Sequence, residues 1–320
     1  MLKYLVVLLD DMSVSYCHYE NQKTERKLIA LEDLQAGILF AMKQNLMIQF
    51  VYPDYELPQE YKDAIHSIDH ANIVPSSLIK EADVVIVDGL TDENPEEYQG
   101  VSAVVFRVQK DELFANYKRL ILFLEKLERL NVVITDVETF SDDDLPAYQA
   151  LLSDLSEVVE SEYKKGHAVQ FNLLTDRMML TAMNNCNAGD ENITLAPDGK
   201  LYVCPAFYQA DAAIMIEDKV RSIGDLKSGL DVRNPQLYKL SHAPICRNCD
   251  AYQCKRCVWL NRKTTCEVNT PSHEQCVVAH LERNASRELL HNIRKHGEFL
   301  TNVEINEIEY LDPFEVRKEW

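Results

Sequence analysis

Eight of the nine cysteines fall between Cys186 and Cys276, in the arrangement of metal ligands. Cys186 and Cys204 come first, the latter after the turn-like segment Pro197-Asp198-Gly199. Cys246-x2-Cys249-x4-Cys254-x2-Cys257 follows, and then Cys266 and Cys276. Thiolates are soft ligands that zinc and iron–sulfur clusters share. A zinc ribbon usually places a longer excursion between its two CxxC pairs than the four residues found here. Two pairs this close are more easily accommodated if their thiolates serve two different sites, and eight thiolates match two four-ligand sites. Two 4Fe–4S clusters are the first reading and zinc is the alternative.

Nine cysteines in a reducing compartment point to metal binding or catalysis rather than disulfides. The only early apolar run, Leu5 to Leu9, is stopped by Asp10-Asp11. It is too short for a signal-peptide core, so a buried strand and a cytoplasmic protein are expected. The formal net charge of −19 repels phosphate backbones and anionic lipid, so neither nucleic acid nor membrane is an expected partner, whereas a basic peptide is compatible. No GxGxxG or GxxxxGK[ST] occurs, so the phosphate-cradling loops have no support.

The elements that must position the cysteines are legible upstream. Strand-like runs occur at Tyr4–Leu9, Leu46–Tyr52, Val84–Val87, Val101–Val108, Asn131–Asp136 and Ala168–Leu173. Several are continuously apolar, as parallel strands covered on both faces are. Between them, Leu31, Leu34, Ile38 and Met42 share one helical face, as do Leu113, Tyr117, Leu120, Ile121 and Leu124. Ser141–Lys165 reads as a helix with Ser141 as N-cap, and Val277–Lys295 as another. The expected fold is α/β: a partial (β/α) barrel of about six units, then a cysteine-rich cluster domain, with a doubly wound open sheet as alternative. In either, a site belongs on loops after the C-terminal strand ends, the first being Asp10–Glu20.

Cys186…Gly199-x4-Cys204, a gap, CxxC…C…C and a distal cysteine resemble the SPASM domain, the auxiliary-cluster module of radical S-adenosylmethionine enzymes that modify peptides. The middle block here is CxxCx4CxxC, each later spacing one shorter than the usual CxxCx5Cx3C. The resemblance implies that Cys246, Cys249, Cys254 and Cys276 hold one 4Fe–4S cluster. It implies that Cys186, Cys204 and Cys257 hold the other, with Cys266 as a possible fourth ligand. Such enzymes carry CxxxCxxC after the first strand. In this chain Tyr16-Cys17 and Tyr19 resemble the end of that motif, with Cys17 as its third cysteine. The other two ligand positions hold Asp10, whose carboxylate can bind iron, and Val14, which cannot. Where a Gly-Gly-Glu contacts the cofactor's amino group, this chain has Tyr52-Pro53-Asp54-Tyr55-Glu56. Cys17 and Asp10 are the catalytic candidates, and S-adenosylmethionine as cofactor is doubtful.

Leu8-Leu9-Asp10-Asp11, Ser15-Tyr16-Cys17-His18-Tyr19-Glu20-Asn21 and Cys254-Lys255-Arg256-Cys257-Val258-Trp259-Leu260-Asn261 are similar to phrases of the CXXX-repeat peptide maturase family. That resemblance implies action on a ribosomally made precursor with Cys-x-x-x repeats, beside a companion radical maturase or leader-binding protein. A non-catalytic, SPASM-like peptide- or partner-binding protein and a zinc-stabilised scaffold are the alternatives. The implied division is a degenerate barrel over 1–178, a cluster domain over 179–282, and a helix and tail over 283–320. Among the remaining candidates, Asp136 and Glu138 could form a paired-carboxylate site. Arg107 should find a carboxylate at the barrel mouth or lie at an edge. His273 and His280 flank Cys276, and Trp259 reads as packing around a cluster.

Overall fold

The computed structural model describes residues 2–90, 94–183, 186–210 and 222–307. The end of the expected 283–320 unit therefore lies outside the described residues. The chain runs β1 (Tyr4–Leu8), α1 (Leu31–Gln44), β2 (Met47–Val51), α2 (Gln59–Ile65), β3 (His70–Pro75), β4 (Val84–Asp88), β5 (Ala103–Val108), α3 (Lys110–Asn116), α4 (Arg119–Leu124), β6 (Arg129–Ile134), α5 (Leu145–Lys164), β7 (Gln170–Phe171) and α6 (Asp176–Met179). It continues through β8 (Asn192–Leu195), β9 (Leu201–Tyr202), α7 (Ala206–Gln209), the small hairpin of β10 (Gly224–Asp225) and β11 (Gly229–Leu230), α8 (Val258–Thr265) and α9 (His273–Arg294).

Strands β1 to β7 lie in strict sequential order, each parallel to the next. A doubly wound sheet reverses its order at a switch point; this one does not. With every crossover of one hand, all connecting helices fall on one face and the sheet curls into a partial barrel. The fold is thus the expected α/β partial barrel, with seven parallel strands in sequence rather than about six. The additional strand is β3. Its apolar run is broken by Asn72 and closed by Pro75, which hid it from a hydrophobicity reading. Beyond β1, strand β8 adds in parallel and β9 turns back antiparallel to it. The cysteine-rich part is therefore joined to the barrel through a shared sheet. Gly199 makes the β8–β9 turn at φ +76°, where a side chain would also strike the Asp33 carboxylate.

The core runs along β1, where Leu5 through Leu9 are all buried. Four helix readings change. The apolar face over Leu113–Leu124 is divided between α3 and α4, and Met42 is exposed, outside the buried stripe of Leu34, Ile38 and Ala41. Ser141 is not the N-cap of α5: its N–H and hydroxyl both donate to the Asp144 carboxylate, and the helix starts after Asp144. Hydrogen bonding to Lys110 holds the Asp144 carboxyl down at about 2. α9 begins four residues earlier than expected, because Ser272 Oγ accepts from Gln275 N–H and caps it there.

α5 packs along α9, and their shared polar contact is Tyr148 Oη donating to Glu282 Oε1 at 2.8 Å. Gln253, beside Cys254, donates to the Ala279 carbonyl at 2.6 Å and weakly to Glu282. Burial pushes the Glu282 carboxyl up to about 7. An acid with a folded-state pKa above its unfolded value contributes its stability below the unfolded pKa and loses it as pH rises through the folded one. Glu282→Gln keeps an acceptor for Tyr148 without a buried charge. Its unfolding free energy should match the wild type near pH 4 and exceed it by about 3 kcal/mol above pH 7.5. Urea titrations across that range check this; parallel profiles for the two proteins would refute it.

Candidate functional site

The loop after β1 enters the barrel mouth under close restraint. Asp10 is fully enclosed: its carboxylate accepts from Met12 N–H at 2.8 Å and from Tyr55 Oη at 2.9 Å. Tyr55 belongs to the segment standing where a Gly-Gly-Glu would lie. Ser13 Oγ donates to the Val51 carbonyl and Val14 N–H to the Tyr52 carbonyl, fastening the loop to the end of β2. The Val14 side chain packs against the apolar core.

Arg107 of β5, 4% exposed, holds the other half of the loop. Its Nε donates to the Cys17 carbonyl at 3.0 Å and its Nη2 to the Tyr19 carbonyl at 2.7 Å. It also pairs with Glu20 at 2.8 Å and with Asp88 at the end of β4. Of the two placements open to Arg107 in the sequence, the barrel mouth is the one found. His18 Nδ1–H donates to the Ile134 carbonyl at the end of β6, and burial lowers its pKa, keeping the ring neutral. Asp136 and Glu138 are used separately: Asp136 accepts from Lys110 N–H, and Glu138 pairs with Lys263 of α8.

Loop and cysteine-rich part are stitched together by Gln209, fully buried in α7. Its Oε1 accepts from Tyr19 Oη at 3.0 Å, and its Nε2 donates to the carbonyls of Ser13 at 2.9 Å and Asp11 at 3.2 Å. The Tyr19 ring meets Trp259 edge-on at 6.3 Å. Cys204 lies just before α7 and Cys257 is the N-cap of α8, so these contacts bring Cys17 between them. Cys17, Cys186, Cys204 and Cys257 lie within electrostatic reach of one another in every pairing. Cys204 and Cys257 pack with Cys17 against the common core, while Cys186 borders solvent. Cys266 takes no part in this group. It is exposed, at φ 62°, as the C-cap of α8. The eight-residue helix separates its backbone from that of Cys257 by about 13 Å.

A second group forms around Cys246, Cys249 and Cys254, again in mutual electrostatic reach. His280 Nε2 lies 3.4 Å from Cys249 Sγ. Cys276 is one turn earlier on α9 than His280, hence on the same face. Asp250 locks this loop in place, pairing with the buried Arg283 at 2.6 Å and with Arg177 at 3.3 Å.

The donor chemistry of both groups fits iron–sulfur clusters. Backbone N–H groups of Ala251, Arg256 and Leu260 point at Sγ of Cys249, Cys254 and Cys257 at 3.4 to 3.5 Å, a pattern that favours thiolate over thiol. Arg256 is 1% exposed and stands between the groups, near Cys186, Cys246 and Cys254. Its Nη2 donates to the Tyr238 carbonyl at 2.5 Å, but its Nε and Nη1 have no partner among the described residues. A buried cation with unanswered N–H groups is costly alone and would be answered by an anionic cluster. As bare thiols these side chains resist ionisation: burial raises Cys246 to about 11, Cys254 and Cys257 to about 12, and Cys17 further. Metal loading must therefore displace protons. Among the described residues, no three His, Cys, Asp or Glu side chains converge as a single metal ion requires. Nor is any described helix long and apolar enough to cross a membrane.

Arg256 and Gln209 were not singled out in the sequence. Arg256 did leave a signal: a basic pair inside a CxxC of an acidic chain. Gln209 left none.

No protein-family profile matches the chain, and no curated protein does. Solved structures match it on fold. anSMEcpe with bound AdoMet and Cp18Cys peptide gives a TM-score of 0.62 at 11% identity, covering 92% of this chain and all of that one. A hexahistidine-tagged anSMEcpe with bound AdoMet gives 0.62 at 10% identity, covering 94% of this chain and 98% of that one. The structural neighbours are radical SAM/SPASM peptide maturases, and at this identity the likeness is one of fold.

Arg107→Met keeps the side chain's bulk and removes every donor. The loss of charged hydrogen bonds should cost on the order of 2 kcal/mol and speed amide exchange across residues 17–20 far more than across β1. Exchange mass spectrometry reads this directly. Equal acceleration in loop and strand would mean that Arg107 stabilises the barrel generally and has no special hold on the loop.

Proposed function

We propose that this chain is an iron–sulfur protein of radical SAM/SPASM type that takes part in maturing a ribosomally made peptide with Cys-x-x-x repeats. The observation that carries the reading is the gathering of cysteines, in SPASM order, into two groups at the mouth of a radical-SAM-like partial barrel. Each group would hold a 4Fe–4S cluster, which supplies electron-transfer capacity when bound. The barrel mouth supplies a walled site, and a net charge of −19 suits a basic peptide segment. The AdoMet and peptide bound by the fold neighbours are consistent with this reading.

A second reading, an accessory protein without radical chemistry of its own, is favoured by the N-terminal loop. A cluster that binds S-adenosylmethionine needs three protein ligands and one open iron. Here Val14 packs into the core, and the Asp10 carboxylate is committed to Met12 and Tyr55. The companion maturase inferred from the resemblance would then supply the radical step. In both readings the metal is iron with sulfide rather than zinc.

Protein reconstituted without oxygen should contain about eight iron and about eight sulfide per chain. A stoichiometric zinc load without sulfide, in cells supplied with iron, would sink the proposal. Under strong reductant the chain alone should form no 5′-deoxyadenosine from S-adenosylmethionine. Turnover that disappears in Asp10→Ala protein would show that this loop does build a competent site and would restore a catalytic reading.

A further inference from the structure

We propose that Cys17 is the fourth thiolate of the cluster held by Cys186, Cys204 and Cys257. The inference rests on the reading that the cysteine groups hold iron–sulfur clusters. It reassigns the one cysteine left in the N-terminal loop from a cofactor-binding remnant to a structural ligand of the cysteine-rich part, and it takes that role from Cys266.

Ligand geometry comes first. Cys257 and Cys266 cap opposite ends of α8, and Cys266 is exposed in a left-handed cap. With Cys257 committed to the group, Cys266 is left at the far end of the helix. Cys17 approaches from the opposite direction. Two residues on, Tyr19 rests edge-on against Trp259, two residues after Cys257. The same Tyr19 donates to Gln209, five residues after Cys204. Arg107 fixes the Cys17 and Tyr19 carbonyls from the barrel side. Cys17 is therefore held from three directions at the junction of barrel and cysteine-rich part.

Charge balance points the same way. Four thiolates on a 4Fe–4S core in its usual oxidised state leave two negative charges. Arg256 offers its unanswered Nε and Nη1 beside Cys186, and Lys255 and Arg107 also act on Cys17. Arg256 thus faces the group with donors that no described residue takes, within a chain that is strongly acidic overall.

The assignment also accounts for the altered loop. A loop that delivers one cysteine to a neighbouring cluster needs no ligand at positions 10 and 14. Val14 is free to pack in the core and Asp10 to close the strand end. It further makes the first cluster coordinatively complete, with no open iron for a substrate thiolate.

The test uses the full chain reconstituted without oxygen. Cys17→Ser and Cys257→Ser should each lose about half of the iron and sulfide, or convert one cluster to a three-iron form visible by EPR after mild oxidation, while Cys266→Ser keeps the full content. Circular dichroism of the metal-free variants separates loss of metal from loss of fold. Cys17→Sec, nearly isosteric and still a ligand, gives a direct readout: selenium-edge X-ray absorption should show iron as a near neighbour. Full iron content in Cys17→Ser with losses in Cys266→Ser, or a selenium environment of carbon alone, would overturn the assignment while leaving the cluster reading intact. Wild-type protein without sulfide would overturn both.

Discussion

The arginines buried against the thiol groups are the constraint around which the rest of this molecule is arranged. The chain carries a net −19 and gathers most of its cysteines into one region, each of which must become an anion to bind metal. Placed together in a low-dielectric interior, those charges would repel and stay protonated. Arg256 stands between the groups with no carboxylate of its own among the described residues, while Arg107 is shared with Glu20 and Asp88, and Arg177 and Arg283 with Asp250. Each is nearly or fully buried, a placement guanidinium tolerates only with anions or carbonyls around it.

Their placement depends on the barrel. Parallel strands with one-handed crossovers put every strand's C-terminal end at one mouth, and the groups that matter project from there: Asp88 from β4, Arg107 from β5, the Ile134 carbonyl from β6 and the loop after β1. The cysteine-rich part is positioned by backbone continuity, since β8 extends the sheet at β1, and by Gln209, which shares the loop carbonyls of Asp11 and Ser13 with Asn21. Loop, barrel mouth and cysteine groups therefore form a single interlocked polar network. Such networks are worth most when complete and cost most when any one member is removed.

The entry loop is closed from within. Tyr55 closes over Asp10, and Val14 turns to the core. These two contacts are mutually consistent. A buried carboxylate needs donors, and Tyr55 supplies one. An apolar side chain needs a core, which the β1–β2 junction provides.

The sequence alone carried the class of fold and most of the strands, and it suggested a metal chemistry, because each is written in local signals: continuous apolar runs, helical periodicity and thiol spacing. It missed β3, where Asn72 and Pro75 dilute the apolar pattern, and it placed the cap of α5 at Ser141, because the competition between Ser141 and Asp144 is settled by Lys110, 34 residues away. Cysteine order suggested two groups of ligands. Which cysteines lie near one another in space was not legible, since Cys17 and Cys257 are far apart along the chain and the packing of Tyr19 on Trp259 joins their segments. The exposure of Cys266 was equally hidden, being a consequence of the length of α8. Spacing along a chain specifies which side chains can be ligands; which of them converge depends on contacts between elements remote in sequence, and those form only when the apolar faces of sheet and helices have been buried.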